Sequence, residues 1–422
     1  MNHPVSSTTP AIECSPLPVL SPQPGVAWAD TMVLNPAIIK DPAGTRWHML
    51  FRATGPWPQA QVPGKALPFP IFLGYAWSDD EGQTWTADWS KPALSPALET
   101  KRESLWIKDG RGQPTLNYSN GCIEDPRLFW LENTLWLTVA CRVFPPGPYW
   151  EHTDRNLPPP EARPDWTKEA VDLGRAVSEN LTVTVLYKVD LENLAAQNYE
   201  QAFSYHTHLT DPSLGDNRDA YLLPGTLKVN GESRYVLVHR PKESKSYGFQ
   251  GTPDNSMLVA VSDSLFGFGI GDCQHHVLAT PEFDWEGERI GGSWPPLALG
   301  DGEWFMGYHG KRDDKMGYTQ SFMILKENSK DGRLEVIHRC PERLLYARQP
   351  WELPAGRLFQ TPCLFTCSGI LNEKELVMAY GAADERVGLA RTPFLPLVNY
   401  VRRYDRSGNI PASPDVSSNR RQ

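Results

Sequence analysis

One arrangement recurs five times along this chain and constrains its fold more than anything else in it. A strand-like run ends in a polar or charged residue, and a second strand-like run follows, often closed by turn residues that include Asp. The first runs are Trp47 to Arg52, Thr134 to Arg142, Ser233 to Arg240, Glu303 to His309 and Glu375 to Tyr380. Their partners are Ile71 to Trp77, Leu181 to Val189, Ser256 to Val261, Tyr318 to Leu325 and Arg386 to Ala390. Each partner is short and rich in β-branched or aromatic residues, which suit a pleated, half-buried surface. With 33 Gly and 39 Pro in 422 residues, turns interrupt the chain too often for long helices. The best helical segment, Pro164 to Ala176, is short and only weakly amphipathic.

Short strands in radial repetition protect their edges by closing into a ring. The expected fold is therefore all-β, a five-bladed β-propeller, with a β-sandwich as the competing architecture. The repeat is irregular because two Pro-rich polar loops intervene, Gly55 to Pro70 and Phe144 to Val177. Both are expected to lie over the active-site face. The expected organisation is a flexible N-terminal segment at 1–24, the propeller at 25–400 and a polar, disordered tail at 401–422. If the five first runs are the inner strands, Arg52, Arg142, His239 with Arg240, His309 and Tyr380 converge on the central channel. The turn Ser78-Asp-Asp-Glu-Gly-Gln-Thr-Trp85 fits the S-x-D-x-G-x-T-W hairpin of sialidase-like propellers. In it Asp80 accepts backbone N–H groups, Gly82 supplies a positive φ, and Trp85 packs between blades.

A net charge of −9 without a basic run excludes nucleic acid as a partner, since phosphates need clustered Lys and Arg. No stretch approaches 18 consecutive apolar residues, so no membrane span is expected. Met1 to Pro24 lacks the basic and apolar regions of a secretory signal. Seven cysteines, an odd number without a C-x-x-C pair, suit reduced thiols and a cytoplasmic location. His275 and His276 lie near Asp272 and Cys273, but no further ligand has metal-site spacing, so no metal is expected. Self-association is left open.

The stretch Gly121-Cys-Ile-Glu-Asp-Pro-Arg127 sets two acids, a rigid proline and an arginine between a polar loop and an apolar run. A carboxyl held at a strand end, with proline fixing the next φ, is well placed for acid chemistry. The same residues would also serve as a turn with an exposed ion pair, and Arg127 as a partner for Glu124 or a carbonyl.

Taken with this stretch, six other pieces make the chain resemble glycoside hydrolase family 130, the mannoside phosphorylases and related β-mannosidases. They are Asn35-Pro-Ala-Ile-Ile39, His48-Met-Leu-Phe-Arg-Ala-Thr-Gly55, Gly74-Tyr-Ala-Trp-Ser78, Val238-His-Arg-Pro241, Tyr308-His-Gly310 and Ala379-Tyr-Gly-Ala-Ala-Asp384. The resemblance runs in order from about residue 28 to 391 and implies a five-bladed propeller.

It also implies roles. Asp125 corresponds to the catalytic acid, its proton relayed through a sugar hydroxyl. Asn35, Arg52 and Asp384 correspond to residues that hold the sugar beside the cleaved bond, while His309 and Tyr318 correspond to phosphate-binding residues. Arg218-Asp219 stands for the family's Lys-Asp pair, and a further family arginine falls on Thr182. Phosphorolysis needs an acid and cations for the phosphate dianion, which arginine binds through paired hydrogen bonds. Arg52, Arg218, His309 and Tyr318 are therefore expected to form the phosphate site, with Asn35 and Asp384 on the sugar.

The expected activity is inverting phosphorolysis of a β-mannoside to mannose 1-phosphate, without a cofactor and with inorganic phosphate as co-substrate. An inverting β-mannosidase is the first alternative, with Glu179 or Glu243 as its base. A non-catalytic carbohydrate-binding propeller is the second.

Overall fold

The computed structural model describes residues 9–55, 61–62, 65–66, 70–99, 102–143, 181–269, 271, 273–312, 316–328, 330, 333–354 and 362–410. The expected helix at Pro164 to Ala176, most of the loop at Gly55 to Pro70 and all of that at Phe144 to Val177 lie outside these residues.

Five antiparallel sheets form a five-bladed propeller. From the axis outward, blade 1 holds Met32–Lys40, Trp47–Thr54, Phe72–Ser78 and Thr86–Ala87. Blade 2 holds Cys122–Leu131, Thr134–Arg142, Val183–Val189 and Phe203–His208. Blade 3 holds Asn217–Leu222, Glu232–Pro241, Met257–Ser262 and Gln274–Ala279. Blade 4 holds Arg289–Gly292, Glu303–Arg312, Gly317–Asn328 and Arg333–Arg339. Blade 5 holds Leu364–Asn372, Glu375–Ala382 and Arg386–Pro393, and its outermost strand is Glu13–Cys14 from the other end of the chain.

The recurrent strand pairs are thus the second and third strands of each blade, and the inner strands precede them. Inner strands from different blades touch one another around the axis. Two residues expected at the axis therefore sit elsewhere. Side chains alternate across a strand, so Arg240 faces inward while His239 turns away to Asn217 and His275. Tyr380 lies in the core between blades 4 and 5, its hydroxyl donating to Glu352 Oε1 at 2.5 Å.

Five apolar clusters fill the spaces between adjacent blades. In one of them the Trp294 indole is fully buried among residues of blades 4 and 5. A Cβ on Gly307 would lie 2.0 Å from its ring, so the strand here tolerates only glycine. The Asp-box turn is built as its sequence requires. Asp80 Oδ1 accepts the Thr84 N–H at 2.8 Å, Gly82 has φ 79°, and Trp85 packs on the cluster between blades 5 and 1.

Both ends are more ordered than composition suggests. Glu13–Cys14 pairs with Ala390 and Arg391, and Leu20 is buried against the ring, so the described part of the N-terminal segment is a strand that closes blade 5. The helix Phe394–Val401 continues into Tyr404, which is buried and donates to Glu342 at 3.0 Å. Residues 401–410 are thus anchored by apolar contact on blades 4 and 5, and the expected disorder of 411–422 concerns residues outside those described.

Candidate active site

The inner strands of blades 1, 2 and 3 share one irregularity. Asn35-Pro36 opposes the single residue Phe51, Asp125-Pro126 opposes Val139, and Asp219-Ala220 opposes His239. Each is a β-bulge, which bends the strand and re-aims a side chain. In each the first residue takes a left-handed φ: 46° at Asn35, 52° at Asp125 and 50° at Asp219. Asn and Asp tolerate this conformation better than most residues, and held strain of this kind concentrates at functional sites.

Asn35 and Asp125 meet across blades 1 and 2. Asn35 Nδ2 donates to Asp125 Oδ1 at 2.7 Å, and Arg52 Nη1 donates to the same oxygen at 3.1 Å. Arg52 also lies 3.1 Å from Glu124 Oε2, whose other oxygen accepts from Arg142 at 2.8 Å. Burial works against the charge on Glu124, but Arg52, Arg142 and Arg218 outweigh it and hold the carboxyl far below its usual range. Burial likewise opposes the Arg52 guanidinium, and Glu124, Asp125 and Asp384 overcome it. Arg218 is held by Asp216, Nε to Oδ2 at 3.1 Å, with over a third of its side chain exposed.

On the blade 4 side, His309 and Tyr318 stack edge to face with ring centroids 5.6 Å apart. His309 Nε2 lies 3.3 Å from Asp219 Oδ2, but neither ring nitrogen has an aligned hydrogen bond. Burial lowers the imidazole pKa although Asp219 opposes it, so His309 brings an N–H rather than the positive charge its sequence position suggests. Burial also pushes the Tyr318 phenol up to about 12, leaving it a hydrogen-bond donor at neutral pH.

Asp384 sits in the tight turn after the second strand of blade 5, with φ 52° there and 53° at Ala383. Burial raises its carboxyl above the ordinary value, and Asp125 adds to this, against Arg52, the Cys363 thiol and Lys311. A carboxyl shifted this way holds its proton more readily and can donate to a ligand oxygen.

The structure thus gathers Asn35, Arg52, Asp125 and Asp384 at one locus, with Arg218 facing Glu124 and the His309–Tyr318 pair reached through Asp219. Sequence reasoning assigned neither Glu124 nor Arg142 a role in the site. Arg142 stood among the residues expected to converge, and its position at the end of a second strand, matching Arg52, was the available signal. Thr182 carries no charge and is buried, its N–H donating to Asp216 at 2.9 Å. No group of three or more His, Cys, Asp and Glu with metal-binding geometry occurs among the described residues.

Residues 214–403 match the model of glycoside hydrolase family 130. The family model is described as beta-1,4-mannooligosaccharide phosphorylase. The matched region of this family holds Arg218, His309, Tyr318 and Asp384. Asn35, Arg52 and Asp125 lie before it and are joined to it by the contacts above. No curated protein gives a significant match.

Solved structures resemble nearly the whole chain. A β-1,2-mannobiose phosphorylase from Listeria innocua, in complex with β-1,2-mannobiose, matches over 93% of this chain and 99% of its own, at 16% identity and a TM-score of 0.59. A glycosyl hydrolase from Bacteroides ovatus matches over 91% and 94% at 15% identity and a TM-score of 0.58. A third structure belongs to work on glycoside hydrolases within family 130 that target β-1,2 mannosidic linkages in Candida mannan. It matches over 91% and 94% at 16% identity, with a TM-score of 0.57. Identity this low carries the fold and not the reaction.

Proposed function

We propose that this protein cleaves β-mannosides by inverting phosphorolysis and releases mannose 1-phosphate. The observation behind this reading is the Asp125 carboxyl, held by Asn35 and Arg52 beside the guanidiniums of Arg142 and Arg218. Phosphate attacks the anomeric carbon from the face opposite the leaving oxygen. The bond from that carbon to the glycosidic oxygen breaks, and Asp125 supplies the proton that the oxygen takes up. Arg52, Arg142 and Arg218 lie among the carboxyls of Glu124, Asp125, Asp216 and Asp384. The forks of these guanidiniums suit an incoming dianion. His309 and Tyr318 add neutral donors, and Asn35 and Asp384 face sugar hydroxyls.

Thr182 favours hydrolysis as a second reading, because it leaves the phosphate site without one family arginine. An inverting hydrolase needs a carboxylate base roughly 6.5–9.5 Å from the acid. Glu243 is half exposed and pairs with Lys245 at 3.4 Å, and Glu179 lies outside the described residues.

The test is turnover of β-1,2- and β-1,4-linked mannobiose with and without phosphate. Phosphorolysis predicts mannose 1-phosphate and a rate that depends on phosphate. Free mannose released at a rate indifferent to phosphate would replace this reading with hydrolysis. If neither mannobiose turns over but sugar still binds, the propeller is a carbohydrate-binding module. Arg218→Met is expected to raise KM for phosphate about tenfold with little change in KM for the disaccharide.

A further inference from the structure

The bulge that turns Asp125 inward takes its carbonyl out of the regular ladder. Pro126 has no N–H, and Asp125 with Pro126 opposes a single residue of the neighbouring strand. A buried carbonyl in that position needs another donor. It receives one from Arg127, whose Nη1 donates to Asp125 O at 2.5 Å.

The same guanidinium reaches all the other blades that border this part of the axis except the first. Its Nε donates to Ser293 O of blade 4 at 3.1 Å. Its Nη2 lies 3.6 Å from Asp219 Oδ1 of blade 3 and has no aligned hydrogen bond. Its centre lies 5.5 Å from the Phe365 ring of blade 5. Arg127 is only 3% exposed, too deep for its charge to serve as an ordinary surface partner. Asp219 in turn takes Arg240 at 2.7 Å and faces His309 at 3.3 Å.

We infer that Arg127 is a positioning residue: it fixes the left-handed turn at Asp125 and ties the aim of that carboxyl to the placement of His309 through Asp219. A planar fork is needed for this, because three directions must be served from one group. Lysine keeps the charge but concentrates it at one point.

The inference rests on the phosphorolysis reading only for its kinetic arm. Arg127→Lys and Arg127→Met are compared with wild type in the synthetic direction, from mannose 1-phosphate and mannose, by phosphate released. Both variants should lose kcat, the methionine variant about a hundredfold and the lysine variant less, while both KM values stay within about threefold. A merely structural arginine would instead lower the melting temperature and leave kcat per folded molecule unchanged, and that result overturns the inference.

The second arm needs no activity. Crystal structures of the two variants should show Asp125 leaving its left-handed φ, or its contact with Asn35 lost. If Asp125 keeps both in Arg127→Lys and Arg127→Met, the inference fails even if mannosides prove to be the right substrates. Should wild type turn over neither mannoside, the functional reading fails while the structural arm still decides the role of Arg127.

Discussion

Two groups of buried polar residues in this propeller have opposite characters. In the outer part of blades 4 and 5, Glu286 and Glu352 are fully buried and their hydrogen bonds are complete. Glu286 accepts the N–H groups of Glu282 and Phe283 at 2.6 and 2.9 Å, Arg339 at 2.6 Å and Tyr308 at 2.9 Å. Glu352 accepts the N–H groups of Arg348 and Gln349 at 2.7 and 2.8 Å and the hydroxyl of Tyr380 at 2.5 Å. Around the axis of blades 1 to 4, by contrast, Asn35 Oδ1, Arg142 Nε and both nitrogens of His309 are buried without aligned partners. Native proteins rarely leave buried polar atoms in this state. The difference fits the proposed division between scaffold and site: a saturated network locks a turn, while an unsaturated one leaves donors and acceptors for a ligand.

This contrast is open to attack by mutation. The largest effect is expected from Asp125→Asn, which should lower mannoside turnover by about 10²–10⁴-fold while the thermal unfolding midpoint stays near that of wild type. Substantial residual turnover would move the acid role elsewhere in the cluster. Glu286→Ala should do the reverse. Leaving the buried Arg339 with only Glu282 at 3.6 Å as a counter-charge costs up to about 3–5 kcal/mol, readable in a denaturant titration, with kcat per folded molecule preserved. Gly307→Ala drives a methyl into Trp294 and should cost about 1–3 kcal/mol by the same measurement.

Acidity offers the mildest probe. Burial holds His48 and His275 down from 6.5 to about 4, opposed at His48 by Asp41 and reinforced at His275 by His276. Between those values the unfolded chain binds protons that these rings refuse in the fold, so stability should fall as pH drops through that window. A denaturation midpoint that does not fall between pH 7 and pH 5 would show that neither ring is shielded as the structure implies.

Much of this architecture was legible in the sequence, and the gaps have physical causes. Second and third strands announced themselves because they are continuous runs of apolar and β-branched residues. The inner strands Met32–Lys40 and Cys122–Leu131 did not, since Asn35-Pro36 and Asp125-Pro126 look like turn dipeptides. They are bulges within strands, and the residues that hid the strands are those that make the site. Asp125, Arg52, Asn35 and Asp384 come together as the motif order implied. The protonation of His309 could not be read from its position, because it depends on burial by blades far apart in sequence. Glu286 and Glu352 left no signal, since a capping acid is indistinguishable from a surface one until its turn is folded. Arg127 was legible as a partner for a carbonyl, but not as a contact shared by four blades.

The strand Glu13–Cys14 has a consequence for how the molecule is made. Ser15 Oγ accepts the Leu389 N–H at 3.2 Å only once blade 5 exists, and the two residues are 374 positions apart. A segment synthesised so far ahead of its neighbour must wait for the intervening blades before it can pair. During that interval the backbone of Glu13–Cys14 stays unpaired and open to strands of other chains, the hazard of any late-closing sheet. Tethering the two ends of the ring should shorten that exposure, whereas a bulky fusion next to residue 13 should prolong it.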